Sequence, residues 1–312
     1  MGANKQLLGH VAALVTVCVW GMAYVAIVNL LRYFTPVEIL LFRFTLAIGL
    51  LYLAYPKRMG KTTRRQELCF AGAGLSGVTL YFLLQDFALL NTAASNVSVI
   101  VAVAPVLTVL LSWRFLKDKR PAGMFFLGAV LAVGGIAIIS FVGNRVELRP
   151  MGDLLAILAA LCWAIYCVLT KKIGGFGFHI IQTTRRIFLY GLIFLIPAVI
   201  FGEFRLGLER FTNPQNVMSF LYLGLGASGT CFVFWNFSVD KLGPAKTSVY
   251  IYLIPLITVA ASVLILGETV GWFKGLGILL TLAGLILSNR TKQNSPAPQE
   301  EAAADETIHS IK

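Results

Sequence analysis

The chain has 312 residues, of which 58% are hydrophobic and 13% charged, with a mean hydropathy of +0.81. Soluble domains carry about 25% charged residues, so a chain this poor in charge cannot cover its surface with polar groups, which excludes a soluble two-domain enzyme and implies a multi-span membrane protein. The 26 basic and 14 acidic residues leave a net charge of +12, but the basic residues sit in short gaps between apolar runs and do not form the clustered soluble patch that nucleic-acid binding needs.

A membrane-spanning helix needs about 20 mostly apolar residues. Ten such stretches follow in chain order: Leu7–Leu30, Pro36–Tyr55, Leu68–Leu90, Ala93–Leu116, Pro121–Val142, Gly152–Thr170, Ile180–Phe201, Val217–Val239, Ala245–Leu266 and Val270–Ser288. None alternates as a barrel strand does, so all are expected as helices. The first run follows Lys5 without a small-residue cleavage site and is expected to be retained. With both termini on the cytoplasmic side, 16 Lys and Arg fall inside and at most six outside. That bias predicts an N-in, C-in protein of the bacterial inner membrane. The polar, acidic segment 291–312 is expected to be a disordered cytoplasmic tail. Cys18, Cys69, Cys162, Cys167 and Cys231 all lie in apolar runs without CxxC spacing, so no disulfide framework, metal site or cofactor is implied.

The two halves repeat each other. An offset of 143 pairs Trp20 with Trp163 and Arg43 with Arg186; an offset of 150 pairs Pro105 with Pro255, Thr108 with Thr258 and Gly134 with Gly284. Residues 1–142 and 143–290 thus form two repeats of five helices each. An odd number of spans turns the second copy upside down, the inverted-repeat plan of many secondary transporters. The fold expected is an all-α membrane protein of ten transmembrane helices in two inverted five-helix repeats.

Val19-Trp20-Gly21, Pro36 with Arg43, and Phe87-Ala88-Leu89 to Ala93-Ala94-Ser95 before Pro105 resemble EamA-type members of the drug/metabolite transporter superfamily. So do Gly152-Asp153 to Trp163-Ala164, Trp235, Gly243-Pro244-Ala245, Pro255 and Leu266-Gly267-Glu268. Lys117-Asp118 departs from the Gly-Glu that usually ends the first repeat. The resemblance, over roughly residues 7 to 290, implies a ten-helix exporter of small organic molecules.

Two GxGxxG strings, Gly72–Gly77 and Gly224–Gly229, lie inside predicted spans, where they favour close helix packing over a phosphate cradle. Pro105 and Pro255 fall near the centres of their predicted spans and act either as static kinks or as hinges. Asp86, beside Gln85, is the sharpest single residue. It either reaches the outer headgroups or faces a cavity, where it would bind a substrate amine or take up a proton. Asn236 or Ser238 stands at its place in the second half. Arg43 and Arg186 pair with an acid such as Glu38, Asp153 or Asp240, or contact a substrate carboxylate. Trp20 and Tyr24 share one helix face, Trp163 and Tyr166 nearly share another. With Trp235, Tyr81 and Tyr250 they either face lipid or line a substrate cavity. His10 is expected to be structural. No motif for ATP hydrolysis or covalent catalysis is present, so no enzyme activity is expected. These residues describe a secondary transporter of a small-molecule substrate, an amino acid or related metabolite, working by alternating access in the lipid bilayer. Protons are a candidate coupling ion; a facilitative channel-like pore is the alternative.

Overall fold

A computed structural model describes residues 2–91, 97, 100–118, 120–141, 150–202, 204, 207–254, 256–257 and 272–289. Pro255, Glu268, the triplet Ala93-Ala94-Ser95 and the tail from 291 lie outside the described residues.

The described elements are helical. They are α1 (Gly2–Leu30), α2 (Pro36–Ala54), α3 (Arg64–Asn91), α4 (Ala104–Leu116), α5 (Gly123–Phe141), α6 (Pro150–Gly174), α7 (Ile180–Phe201), α8 (Pro214–Leu242), α9 (Pro244–Ser248, continued by a 3-10 turn, Val249–Leu253) and α10 (Trp272–Asn289). Helix α1 from Lys5, together with α2, α3, α6, α7 and α8, makes six helices long and apolar enough to cross a membrane; shorter apolar helices lie at Ala104–Leu116, Gly123–Gly135 and Gly275–Ser288. Helical structure suits such sequences because hydrocarbon offers a backbone amide no partner outside its own segment.

Local chemistry sets the boundaries. Thr35 and Glu38 form a capping box at the start of α2, with Pro36 in the first turn, where its missing N–H loses nothing. Thr63 and Gln66 cap α3 in the same way. His179 caps α7, and Asn213 caps α8 ahead of Pro214. Gly243, at φ +85°, ends α8 in a conformation that side-chain-bearing residues rarely adopt.

Packing between the halves is reciprocal. α3 lies against α6 and α7, while α8 lies against α1 and α2. α4 packs on α6, and the turn after α9 packs on α1; α2 meets α7, and α5 meets α10. Exchanging the halves converts each contact into another on the same roll. Both long helices at the centre of this pattern carry a π-helical segment, Leu75–Leu80 in α3 and Tyr222–Thr230 in α8. The GxGxxG strings lie at these segments. A Cβ on Gly74 would sit 2.6 Å from the Ile187 carbonyl oxygen of α7, and one on Gly224 would sit 2.7 Å from Leu46 Cβ of α2. The glycines thus let neighbouring helices touch, as small residues do in lipid.

The α5–α10 contact is closer still. Gly128, Ala132 and Gly135 face Gly277, Thr281, Gly284 and Ser288; a Cβ on Gly284 would sit 2.5 Å from the Gly128 carbonyl oxygen. Backbone stands in the way and cannot rotate aside. Gly284→Val is expected to destabilise the protein by about 1–3 kcal/mol. This is measured as a lowered unfolding midpoint in a thiol-reactive dye assay, where buried Cys167 and Cys231 report opening. An unchanged midpoint would contradict the helix contact.

Candidate functional site

Arg43 comes from the middle of α2 and is 1% exposed. Its Nε donates to Ser228 Oγ in the π segment of α8 at 2.9 Å, and its guanidinium lies 4.3 Å from the Phe82 ring centroid. Its Nη1 has no hydrogen-bond partner among the described residues. Of the acids expected to neutralise it, Glu38 instead receives Arg210 through two bonds of 3.0 and 2.9 Å. Arg210 precedes α8 and also donates to the Tyr33 carbonyl oxygen at 2.8 Å, closing the ends of α1 and α2 together. The Glu38 hydrogen bond holds the Arg210 guanidinium above its ordinary pKa.

Arg43 opens onto a cleft enclosing about 670 Å³, its mouth included. Trp20, Tyr24 and Ile27 of α1 form one wall; Tyr81, Phe82 and Gln85 of α3 form another. Trp163 of α6, Val101 and Ala102 before α4, and Ile251 and Ile254 complete it. Trp20 and Trp163 meet edge-on with centroids 5.2 Å apart, and Tyr81 lies 4.8 Å from Trp163. The lining is therefore aromatic and aliphatic, with polar atoms at few points.

Those points are unusual. Arg43 Nη1, Gln85 Oε1 and Trp163 Nε1 are buried without hydrogen-bond partners among the described residues, and so are both carboxylate oxygens of Asp86. Asp86 is fully buried, adjacent to Gln85 and absent from the cleft wall. It sits among protein groups instead of reaching outward, with Arg43, Tyr24 and Tyr81 as its electrostatic neighbours. A buried polar atom without a partner costs about 1–3 kcal/mol, and Arg43, Gln85 and Trp163 each bring one such atom to the lining of the cleft, which makes it the candidate site.

The cleft gathers Trp20, Tyr24, Tyr81, Gln85 and Trp163 together with Arg43, and leaves other expected residues behind it. Tyr166 donates to Asn236 Oδ1 at 2.6 Å, and Asn236 Nδ2 donates to Thr184 Oγ1 at 3.0 Å, a buried chain across α6, α8 and α7. Trp235 is fully buried, with its ring 5.1 Å from Trp20. Tyr250 lies elsewhere, its hydroxyl 2.7 Å from His10 Nδ1, where it ties α1 to the turn after α9. Pro105, expected mid-helix, stands at the start of α4 after a turn at Ala102 and Val103. The first turn of a helix tolerates the missing N–H that its centre does not. That turn places Val101 and Ala102 in the cleft wall.

Arg186 is paired, but with Glu67, which sequence reasoning did not single out. Arg186 donates to Glu67 at 3.1 and 2.8 Å, and the Tyr190 hydroxyl donates to the same carboxylate at 2.5 Å. The available signal was Tyr190 four residues after Arg186 on one face of α7, and Glu67 among few acids. Arg185, which neighbours Arg186, is 4% exposed and donates to the Tyr55 and Lys57 carbonyl oxygens, fixing the loop after α2. Phe82 and Ser228 were also missed.

Residues 7–141 and 150–290 each match the sequence model of the EamA-like transporter family. An uncharacterized transporter of Archaeoglobus fulgidus is 29% identical over 89% of this chain and 96% of its own length. A protein of Streptantibioticus cattleyicolor named "probable terminal-alkyne amino-acid exporter" is 27% identical over 89% of this chain and 92% of its own length. The protein PecM of Dickeya dadantii is 26% identical over 91% and 95%. A solved crystal structure of a protein superposes with a TM-score of 0.70 over 92% of this chain and 97% of the other; at 17% identity this is a likeness of fold.

The two ion pairs differ in exposure: side chains are 15% and 0% exposed for Arg210–Glu38, but 42% and 22% for Arg186–Glu67. Arg210→Ala takes the cation from a buried carboxylate that keeps its Thr35 N–H bond, and is expected to destabilise by about 3 kcal/mol. Arg186→Ala should cost about 1 kcal/mol or less. Unfolding midpoints of the two purified variants check the order; the reverse order would contradict it.

Proposed function

The chain belongs to the EamA-like transporter family, and we propose that it moves a small organic solute, an amino acid or related metabolite, by alternating access between two inverted five-helix repeats. That it is a multi-pass membrane transporter follows from the family match, the transporter relatives and the apolar helices. The single observation that carries the finer reading is the cleft with unpartnered polar atoms of both kinds. Arg43 and Trp163 offer donors and Gln85 offers an acceptor, with the Asp86 carboxylate buried behind the wall. Such a mixture suits a solute with an anionic and a cationic end, and the aromatic walls suit an apolar body between them. Pro105 and Pro255 serve in this reading as the repeat-related points about which the cleft walls move.

Ten spans, repeats 1–142 and 143–290, and an N-in, C-in placement in the inner membrane belong to this proposal. The odd number of predicted spans per half, the reciprocal helix packing and the inward bias of Lys and Arg support them. Export is the direction proposed, supported by the name of the Streptantibioticus relative. Asp86 is proposed to take up a proton during the cycle, since a buried carboxylate beside Arg43 changes the balance of charge in the cleft when it is neutralised.

The test begins with thermal shifts of the purified protein against L-amino acids, the amines that lack their carboxylate and the acids that lack their amine. Intact zwitterions should stabilise most, and the best one should show counterflow in proteoliposomes. Uptake without trans-stimulation by unlabelled solute indicates the channel-like alternative, and stabilisation by none of the three classes sinks the solute assignment. Asp86→Asn should abolish the pH dependence of uptake while solute still binds. An unaltered pH profile in that variant removes Asp86 from coupling.

A further inference from the structure

The two halves place a tryptophan at the same repeat position, Trp20 and Trp163, 143 residues apart. The structure gives them different partners. Trp20 Nε1 donates to the Ala227 carbonyl oxygen, in the π segment of α8, at 2.8 Å. The bond anchors α1 to α8 and uses the indole donor completely. The matching partner for Trp163 would be the π segment of α3. There the Tyr166 ring lies on Gly77, so close that no side chain would fit at that position. Trp163 is 3% exposed, its Nε1 has no hydrogen-bond partner among the described residues, and it lines the cleft. Its ring is held by Trp20 at 5.2 Å, Tyr81 at 4.8 Å and Tyr166 at 5.1 Å. A buried indole N–H usually has a partner, and this one is fixed in place without one.

We infer that Trp163 is the specificity-determining hydrogen-bond donor of the cleft, giving its N–H to an oxygen acceptor on the solute, while Trp20 is a strut between helices. The inference rests on the transport reading above and adds to it a division of labour between repeat-related side chains. Arg43 supplies charge to the acceptor end of a solute. A charged donor attracts any anionic group, whereas the single direction of an indole N–H selects where that group's oxygen sits. Solutes that lack such an oxygen leave the indole unpaired and bind less well.

The experiment uses the full chain labelled with 15N at its five tryptophan indoles, with the Trp20 and Trp163 signals assigned from Trp20→Phe and Trp163→Phe. In ligand-free protein the Trp163 indole proton should exchange with deuterated solvent at least about tenfold faster than that of Trp20, which a hydrogen bond protects. Added L-leucine should move the Trp163 signal. In L-leucine counterflow Trp163→Phe should raise KM about tenfold, the weight of one hydrogen bond, with the unfolding midpoint held; Trp20→Phe should lower the midpoint. Equal protection of both indoles, or a Trp163→Phe variant that loses stability at unaltered KM, overturns the assignment. If neither L-leucine nor any other L-amino acid of the thermal-shift panel binds or is carried, the solute reading has failed, and the exchange rates still decide whether the Trp163 donor is free.

Discussion

Hydrocarbon gives a peptide group nothing to bond with, and every other feature of this protein answers to that constraint. Among the described residues, the six long apolar helices close their backbone bonds within themselves. What then holds helices together is close contact, because lipid removes the hydrophobic drive between them. The glycines at 74, 224, 128 and 284 supply that contact, each placed where a Cβ would strike a neighbouring helix. The same constraint makes every buried polar side chain informative. Glu38, Glu67 and Asn236 are all satisfied by protein partners; of the buried polar atoms without one among the described residues, Arg43 Nη1, Gln85 Oε1 and Trp163 Nε1 belong to side chains that line the cleft.

Arg43 shows how this sorting works. A guanidinium has five N–H donors in a rigid fork. Ser228 takes one at 2.9 Å, and the face of Phe82 takes part of the charge. Had Glu38 reached Arg43, the cation would be neutralised and closed to a ligand. Arg210 occupies Glu38 instead, near the ends of α1 and α2, and Arg43 stays at the cleft deeper in the protein. Burial of the cation is tolerable because aromatic faces and a carboxylate neighbour stand around it.

The helices and several walls of the cleft were readable in the sequence because their signals are local. About 20 apolar residues make a span, Thr35 with Pro36 marks the start of α2, and the GxGxxG strings inside spans point to packing. Trp20, Tyr24, Tyr81, Gln85 and Trp163 stand out as polar or aromatic groups where apolar ones would serve. Partnerships were not readable. Arg43 meets Ser228 from 185 positions away, and Arg186 meets Glu67 from 119. Such pairs depend on how each helix is rotated about its axis, which composition does not set. Tyr250 pairs with His10 for the same reason. Pro105 was misplaced because an apolar run does not show where the chain turns inside it, as it does at Ala102 and Val103.

Reciprocal packing has one more consequence. In a dimer of identical chains, a site on the twofold axis must present the same groups from both sides. A small solute has no such axis, so half of its recognition would be spent on groups facing the wrong end. Joining the two copies in one polypeptide releases them from identity. One copy of a residue becomes part of the scaffold, and the other is released for a different role, which for Trp163 is proposed above to be contact with the solute. Trp20, bonded to the Ala227 carbonyl, and Trp163, without a partner among the described residues, carry that loss of symmetry into the wall of the cleft.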